Sequence, residues 1–181
     1  KDFLFVGDTK EAGLYGKHLW EKGKMLTICE GEIDALSVSQ AQGNKWPVVS
    51  LPTGAAGAKR AIQNDLEYLE NFDSIILMFD QDDAGQKAVD ECVQLFQPGK
   101  VKIASLPLKD PNEMLQAGRG PEIITQIWNA KSYRPDGIID GQDTWELVST
   151  SQKVDSMPYP FNGLNNMTQG IRKGEIVTIT A

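Results

Sequence analysis

The sequence predicts an α/β protein with a mostly parallel four-stranded sheet that is sandwiched by helices. Short apolar runs rich in β-branched residues alternate with segments of helical period, which is the pattern of parallel strands joined by crossover helices. The hydrophobic share of 40% and the charged share of 24% are those of an ordinary globular protein. One α/β domain with a short helical and strand tail accounts for the pattern.

The individual elements follow from these runs. We expect strands at Met25–Cys29, Val48–Leu51, Ser74–Phe79 and Val101–Ser105. We expect helices at about Ile33–Gln42, Ala58–Glu70, Ala84–Phe96, Asn112–Ala117 and Glu122–Asn129. In the second helix Ile62, Leu66 and Leu69 fall on one face. Phe3–Val6 has the composition of a further strand.

Size and charge limit what the chain can be. A chain of 181 residues holds one sizeable core and a remainder. No apolar run approaches the roughly 18–20 residues that cross a bilayer, so we expect no membrane association. Two cysteines without a motif exclude a disulfide scaffold and a zinc site, and the lack of a signal peptide indicates an intracellular protein. The net charge of −7 indicates that this surface does not bind nucleic acid on its own.

A change of composition divides the chain near residue 131. Lys131–Gly137 is polar and contains proline and glycine, which favours a linker. Beyond it, Asp143 and Glu146 have the spacing of a capping box that opens a short helix to about Ser151. Met157–Gly174 is expected to form loops before a final strand. This tail is too short to form a core alone.

Acidic residues follow three of the predicted strands. Glu30 comes directly after the first strand, Asp80 and Asp82 follow the third, and Asp110 lies a few residues past the fourth. In a parallel sheet these positions share one edge, where open α/β sheets bind ligands. Converging carboxylates repel one another unless a divalent cation neutralises them, and oxygen ligands without His or Cys favour Mg²⁺ or Mn²⁺ over zinc. The sequence therefore predicts a metal site at this edge.

Each feature also has a simpler interpretation. A single Asp-x-Asp after a strand is more often a turn or a helix cap, and only the three acidic sites together favour a metal. Asp83 is expected to be the N-cap of the helix from Ala84, and Glu113 a first-turn charge. The loop Thr53–Gly57 fits a phosphate cradle and an ordinary turn equally well. His18, the sole histidine, is expected to face solvent.

These motifs together resemble the Toprim signature of primases, topoisomerases and related nucleases. Glu30-Gly31 with the nearby Asp34, followed by Asp80-Gln81-Asp82 with Gly85, is similar to that signature in the right strand contexts. The similarity covers roughly residues 25 to 129. The glycine-containing loop 51–57 and the segment 110–113 resemble primase members in particular.

The resemblance implies roles for the acids. Glu30, Asp80 and Asp82 are expected to be catalytic, and the same three residues with Asp110 are the expected ligands of Mg²⁺ or Mn²⁺. Glu32 and Asp34 are implied as further acids near the site. Lys1 would lie beside the nucleotide site, which makes it a candidate phosphate contact.

Past the linker, the residues around Gly163 and the run 170–179 resemble the entry to a RecA-like hexameric helicase. The whole chain resembles the bifunctional primase-helicases of T-odd bacteriophages. That resemblance divides it into the end of a polymerase subdomain (1–24), a Toprim metal-binding domain (25–130), a linker (131–139) and a linker helix with the first edge of a helicase domain (140–181). We expect a fragment that stops before the phosphate-binding loop.

The implied function is metal-dependent, template-directed synthesis of short RNA primers, coupled in the full protein to NTP-driven DNA unwinding. The fragment alone is expected to be inactive. Expected partners are a single-stranded DNA template, NTPs, neighbouring ring subunits through the 140–151 helix, and replisome proteins, in the cytoplasm of a host cell.

Two other functions remain open at this point. A topoisomerase or Toprim nuclease would need a nucleophilic tyrosine on a separate domain or a nuclease partner region, and the helicase-like tail supplies neither. A non-catalytic Toprim spacer that supports helicase assembly would be expected to have lost its acids, whereas this chain retains them.

Overall fold

The computed structural model describes residues 12–133, 144–145, 149 and 155–178. The chain divides into two compact units, Lys1–Asp136 and Gly137–Ala181. Lys1 and the expected strand Phe3–Val6 lie outside the described residues. Within the described ranges, no helix is long and apolar enough to cross a membrane.

The first unit contains a five-stranded sheet. Its strands are β1 (Gly23–Cys29), β2 (Val48–Ser50), β3 (Phe72–Met78), β4 (Val101–Ile103) and β5 (Lys131–Ser132). The spatial order is β2-β1-β3-β4-β5, and the first four strands are parallel. The predicted parallel sheet is confirmed, and its four strands lie close to their expected bounds.

The fifth strand consists of the first two residues of the segment that is predicted to be a linker. The two residues of β5 pair antiparallel with Lys102 and Ile103 of β4. The N–H of Tyr133 donates to the carbonyl of Val101 at 3.0 Å, and Tyr133 packs against the core. Two exposed residues are too few to show the apolar alternation of a strand. Their polar composition is typical of a linker, which is why the sequence did not indicate β5.

Helices cover both faces of the sheet, as predicted. Their bounds are α1 (Glu32–Ala41), α2 (Ala58–Asn64), α3 (Leu66–Leu69), α4 (Asp83–Val93), α5 (Pro111–Gln116) and α6 (Gly120–Trp128). Buried residues of α1, α5 and α6 share one core, and those of α2, α3 and α4 share the other. The sheet therefore lies between two helical layers.

One predicted helix is divided in two by Asp65. This residue ends α2 and precedes α3, and it is only 6% exposed. Its carboxylate accepts from the N–H of Leu14 and from Nζ of Lys17, both at 2.7 Å. These partners lie 51 and 48 residues away in the sequence. A helical period cannot reveal such a distant attachment, which is why a continuous helix was expected.

Alternate residues of the central strand enter the two cores. Ile75, Leu77 and the following Phe79 belong to the core beneath α2 and α4. Ile76 and Met78 belong to the core beneath α1, α5 and α6. All five are at most 1% exposed. Burial on both faces explains why this strand appears in the sequence as a continuous apolar run.

The second unit differs from its prediction. A helix, α7 (Asn162–Thr168), lies between two short antiparallel strands, β6 (Ser156–Met157) and β7 (Ile171–Arg172), where loops were expected. Polar residues dominate α7, so no apolar period marks it. The described part of the expected final strand, 176–178, has no regular structure. Of the expected helix up to Ser151, only residues 144, 145 and 149 are described, and all three are helical.

Candidate metal centre

The candidate centre lies at the topological switch point, where successive strands begin to be added on the other side of β1. From β1 the chain crosses to β2 on one side, and β3 then pairs with the other side of β1. Sheets with this order bind ligands outside the carboxyl ends of the two strands at the reversal. Cys29 and Met78 are aligned at the ends of β1 and β3, so Glu30 and Asp80 emerge side by side.

Glu30 is held by the loop after β2. Its Oε1 accepts from the N–H of Ala55 at 3.2 Å. Gly54 brings that N–H into place with φ 67° and ψ −166°, a backbone conformation essentially restricted to glycine. The other oxygen, Oε2, is buried without a hydrogen-bond partner. A buried carboxylate oxygen in this state is costly unless a proton or a cation binds it.

Asp82, and not Asp83 as predicted, is the N-cap of α4. Its Oδ1 accepts from the N–H of Gly85 at 3.0 Å. Asp83 is the first helical residue, so the expected cap was displaced by one position. Gly85 packs directly on the strand end, since an added Cβ would collide with the carbonyl of Asp80 and lie 3.0 Å from its carbonyl carbon. The glycine therefore allows α4 to start against the site.

The third acidic segment reaches the same edge through α5. Asp110 is the N-cap of α5, and its Oδ1 accepts from the N–H of Glu113 at 2.7 Å. The N–H of Asn112 donates to Oδ1 of Asp34 at 3.3 Å. This hydrogen bond joins the first turns of α1 and α5. Asp34 thereby connects the first acidic segment to the third.

Lys109 is a site residue that the sequence analysis missed. Its Nζ lies 3.1 Å from Oδ2 of Asp80 and 3.9 Å from Oδ2 of Asp82. Among the described residues, Lys109 is the basic residue that forms ion pairs with Asp80 and Asp82. Its position directly before Asp110 is the sequence signal that marks it.

Burial and crowding raise the pKa of three acids at this edge. Burial is the largest cause of the raised pKa of Glu30, followed by the charge of Asp80, while the N–H groups of Ala55 and Asp80 oppose the rise. Burial likewise raises the pKa of Asp80, although Lys109 opposes it. Asp34 reaches a pKa of about 6, through burial first and the charge of Asp110 second. Each acid therefore experiences the charges of its neighbours.

The donor set fits a hard divalent cation after side-chain movement. Glu30, Asp80, Asp82 and Asp110 offer only oxygen atoms, which suits Mg²⁺ or Mn²⁺. In the part of the chain that the structure describes, no group of three His, Cys, Asp or Glu side chains is already arranged to hold an ion. The caps use only Oδ1 of Asp82 and Oδ1 of Asp110, and the ammonium of Lys109 lies beside Oδ2 of Asp80 and of Asp82.

Comparison with known proteins places the chain in a family. A family model described as Toprim-like matches residues 27–115. The DNA helicase/primase of Enterobacteria phage T3 is 43% identical over 185 residues, a match that covers 100% of this chain and 33% of that protein. The chain belongs to the Toprim primase-helicases of bacteriophages. It spans a third of the length of this relative.

Two solved structures resemble this phage Toprim chain. One shows the bacteriophage T7 lagging-strand DNA polymerase with primase domains of two gp4 subunits bound to an RNA/DNA hybrid and dTTP. The match there is 48% identical, covers 74% of this chain and 68% of the other, and has a TM-score of 0.70. The other is the crystal structure of the primase fragment of the T7 primase-helicase, 49% identical over 68% of this chain and 52% of that one, with a TM-score of 0.65.

Proposed function

We propose that the acidic edge of this sheet binds Mg²⁺ or Mn²⁺ and serves the template-directed synthesis of short RNA primers in the whole primase-helicase. The observation that carries the proposal is the buried, unpartnered Oε2 of Glu30. It lies at the reversal point of a parallel sheet, where the charges of Asp80 and Asp82 act on Glu30 and the charge of Asp110 acts on Asp80. A bound cation would satisfy this oxygen, and the carboxylate oxygens near it favour a hard divalent cation.

The protein residues would divide the work as follows. Glu30 and Asp80 are rigidly placed by buried strands, so they would fix the position of an ion. Asp82 and Asp110 would complete the set with the oxygens not used as helix caps. A divalent ion bound there supplies positive charge that stabilises the phosphates of a nucleotide and activates an attacking hydroxyl. We assign the catalytic role to Glu30, Asp80 and Asp82.

The net charge of the chain indicates that the nucleic acid is bound mainly by other parts of the protein. With a net charge of −7, the chain repels a polynucleotide, so we propose that the single-stranded DNA template is held mainly elsewhere. Lys1 remains a candidate phosphate contact for the NTP and lies outside the described residues. The relatives favour primer synthesis over DNA cleavage, because the family match is to primase-helicases.

We propose that the chain divides into the segments 1–24, 25–130, 131–139 and 140–181. The first two residues of the third segment pair with β4 as β5. We also propose that residues 140–151 contact a neighbouring subunit of a ring. Trp145 supports this, because its side chain is 71% exposed. Replisome proteins in the host cytoplasm are further proposed partners.

Primer synthesis by the full-length protein tests the proposal. Asp80→Asn should reduce primer formation by at least about a hundredfold, since a charged oxygen ligand is lost. NTP hydrolysis should remain near the wild-type rate, because it uses a different site. The matched control is Asp73→Asn, an exposed acid at the other end of the same strand. Undiminished primer synthesis by Asp80→Asn would refute the assigned site.

A further inference from the structure

The position of Lys109 carries an inference beyond the acids themselves. Its ammonium lies beside one oxygen from each of Asp80 and Asp82, at 3.1 and 3.9 Å. The side chain of Asp80 is 15% exposed and that of Asp82 is 46% exposed. These two carboxylates are the pair that an ion at the sheet edge would bind. The ammonium thus lies next to the oxygens that the ion needs.

The main chain of Lys109 is fixed at both of its polar groups. Its carbonyl accepts from the N–H of Gln81 at 2.8 Å, in the loop between the two aspartates. Its own N–H donates to Oε2 of Glu113 at 3.3 Å. The residue is therefore attached to the Asp-x-Asp loop by a hydrogen bond as well as by charge. A backbone held in this way keeps the ammonium within reach of Asp80 and Asp82 even when the ion pair is broken.

The side chain itself is free to leave. It is 51% exposed, and its four-carbon stem has rotatable bonds that can move the ammonium into water. If a lysine ammonium and a divalent ion bind the same carboxylate oxygens, the two cations lie about 4 Å apart and repel each other strongly. Both cannot occupy the pair at once. Binding of the ion therefore requires the ammonium to move while the Lys109 backbone stays in place.

The geometry points to Lys109 as a tethered counter-ion that neutralises Asp80 and Asp82 in the metal-free protein and that a divalent cation displaces. This inference rests on the proposed metal site. It makes Lys109 a residue that sets the affinity of the site for its ion, because each binding event must first break the ion pair. The same pair prevents Asp80 and Asp82 from repelling each other before the metal arrives.

Manganese binding to the 181-residue chain tests the inference, with free Mn²⁺ measured by its paramagnetic resonance signal. Lys109→Met should bind Mn²⁺ about threefold to tenfold more tightly than the wild type, because competition and charge repulsion are both removed. Lys109→Gln, which keeps the length and polarity of the side chain, should show the same direction. Lys100→Met is the matched control, because Lys100 forms a 3.1 Å ion pair with Glu70 at the far end of β4.

The outcomes separate this inference from the proposed function. Tighter binding in both Lys109 variants, with Lys100→Met within about twofold of the wild type, supports the counter-ion. Unchanged or weaker binding in the folded Lys109 variants overturns it while leaving the metal site standing. Absence of Mn²⁺ binding in wild type and variants alike overturns both. Thermal unfolding gives a second reading, since Mn²⁺ should raise the Tm of Lys109→Met more than that of the wild type.

Discussion

At the scale of single residues, the site places carboxylates where burial and neighbouring negative charges raise their pKa values. Asp34 shows this most clearly, since burial and the charge of Asp110 raise its pKa from 3.8 to about 6. Its hydrogen bond from the N–H of Asn112 lowers the pKa but does not offset those effects. The fold therefore holds Asp34 in a place where its charged form is disfavoured. The ionised form of Asp34 therefore lowers the stability of the fold.

The pH dependence of stability tests this reading of Asp34. The unfolded chain releases the Asp34 proton near pH 3.8 and the folded chain near pH 6, so the folded state binds more protons between these values. The free energy of unfolding should therefore fall as pH rises through that window. In urea unfolding with EDTA, Asp34→Asn should show a smaller fall than the wild type. Parallel pH profiles for the two proteins would contradict the assignment.

At the scale of elements, the site depends on how closely a helix approaches a strand. The first turn of α4 packs on the end of β3 because Gly85 has no side chain to collide with the Asp80 main chain. The cap from Asp82 to the N–H of Gly85 fixes the same turn. The first turn of α4 and the acidic residues that follow β3 are therefore held together by the same contacts. The spacing of Asp80, Asp82 and Gly85 follows from that packing.

Gly85→Ala should therefore damage the site as well as the fold. The new Cβ forces α4 away from Asp80, which should cost about 1–3 kcal/mol in urea unfolding and weaken Mn²⁺ binding by about tenfold. Gly120→Ala is the control, because the nearest atom to an added Cβ there is Cδ1 of Leu115 at an ordinary 3.5 Å. That control should be neutral or slightly stabilising. Equal effects of the two changes would show that the close approach is unimportant.

The same scale explains which elements the sequence could predict. Strong apolar runs such as Ile75–Phe79 identify their strands without tertiary information, because burial on both faces excludes polar residues. The break between α2 and α3 arises from Asp65 and its distant partners Leu14 and Lys17. β5 is stabilised by pairing with β4 and by Tyr133, and its own residues carry no strand pattern. Elements defined by distant contacts are the ones that local patterns miss.

At the scale of the whole molecule, the topology assembles the site. Parallel pairing brings Glu30, Asp80 and Asp82 to one edge, and this convergence could be predicted from their positions after strands. Asp110 reaches that edge through the loop after β4, as the N-cap of α5. The position of Lys109 could not, because it depends on the conformation of two loops joined by the Gln81 hydrogen bond. The cap at Asp82 likewise depends on where α4 begins. The acids were therefore predictable, and the counter-ion between them was not.

Titration of the 181-residue chain with Mn²⁺ tests the central claim, that this sheet edge is a divalent-metal site, most directly. The wild type should bind Mn²⁺ saturably, and Asp80→Asn should weaken binding by at least about tenfold while circular dichroism shows an intact fold. Asp73→Asn, with the same loss of charge at the opposite end of β3, should bind like the wild type. Equal affinity of the wild type and Asp80→Asn for Mn²⁺ would contradict the account.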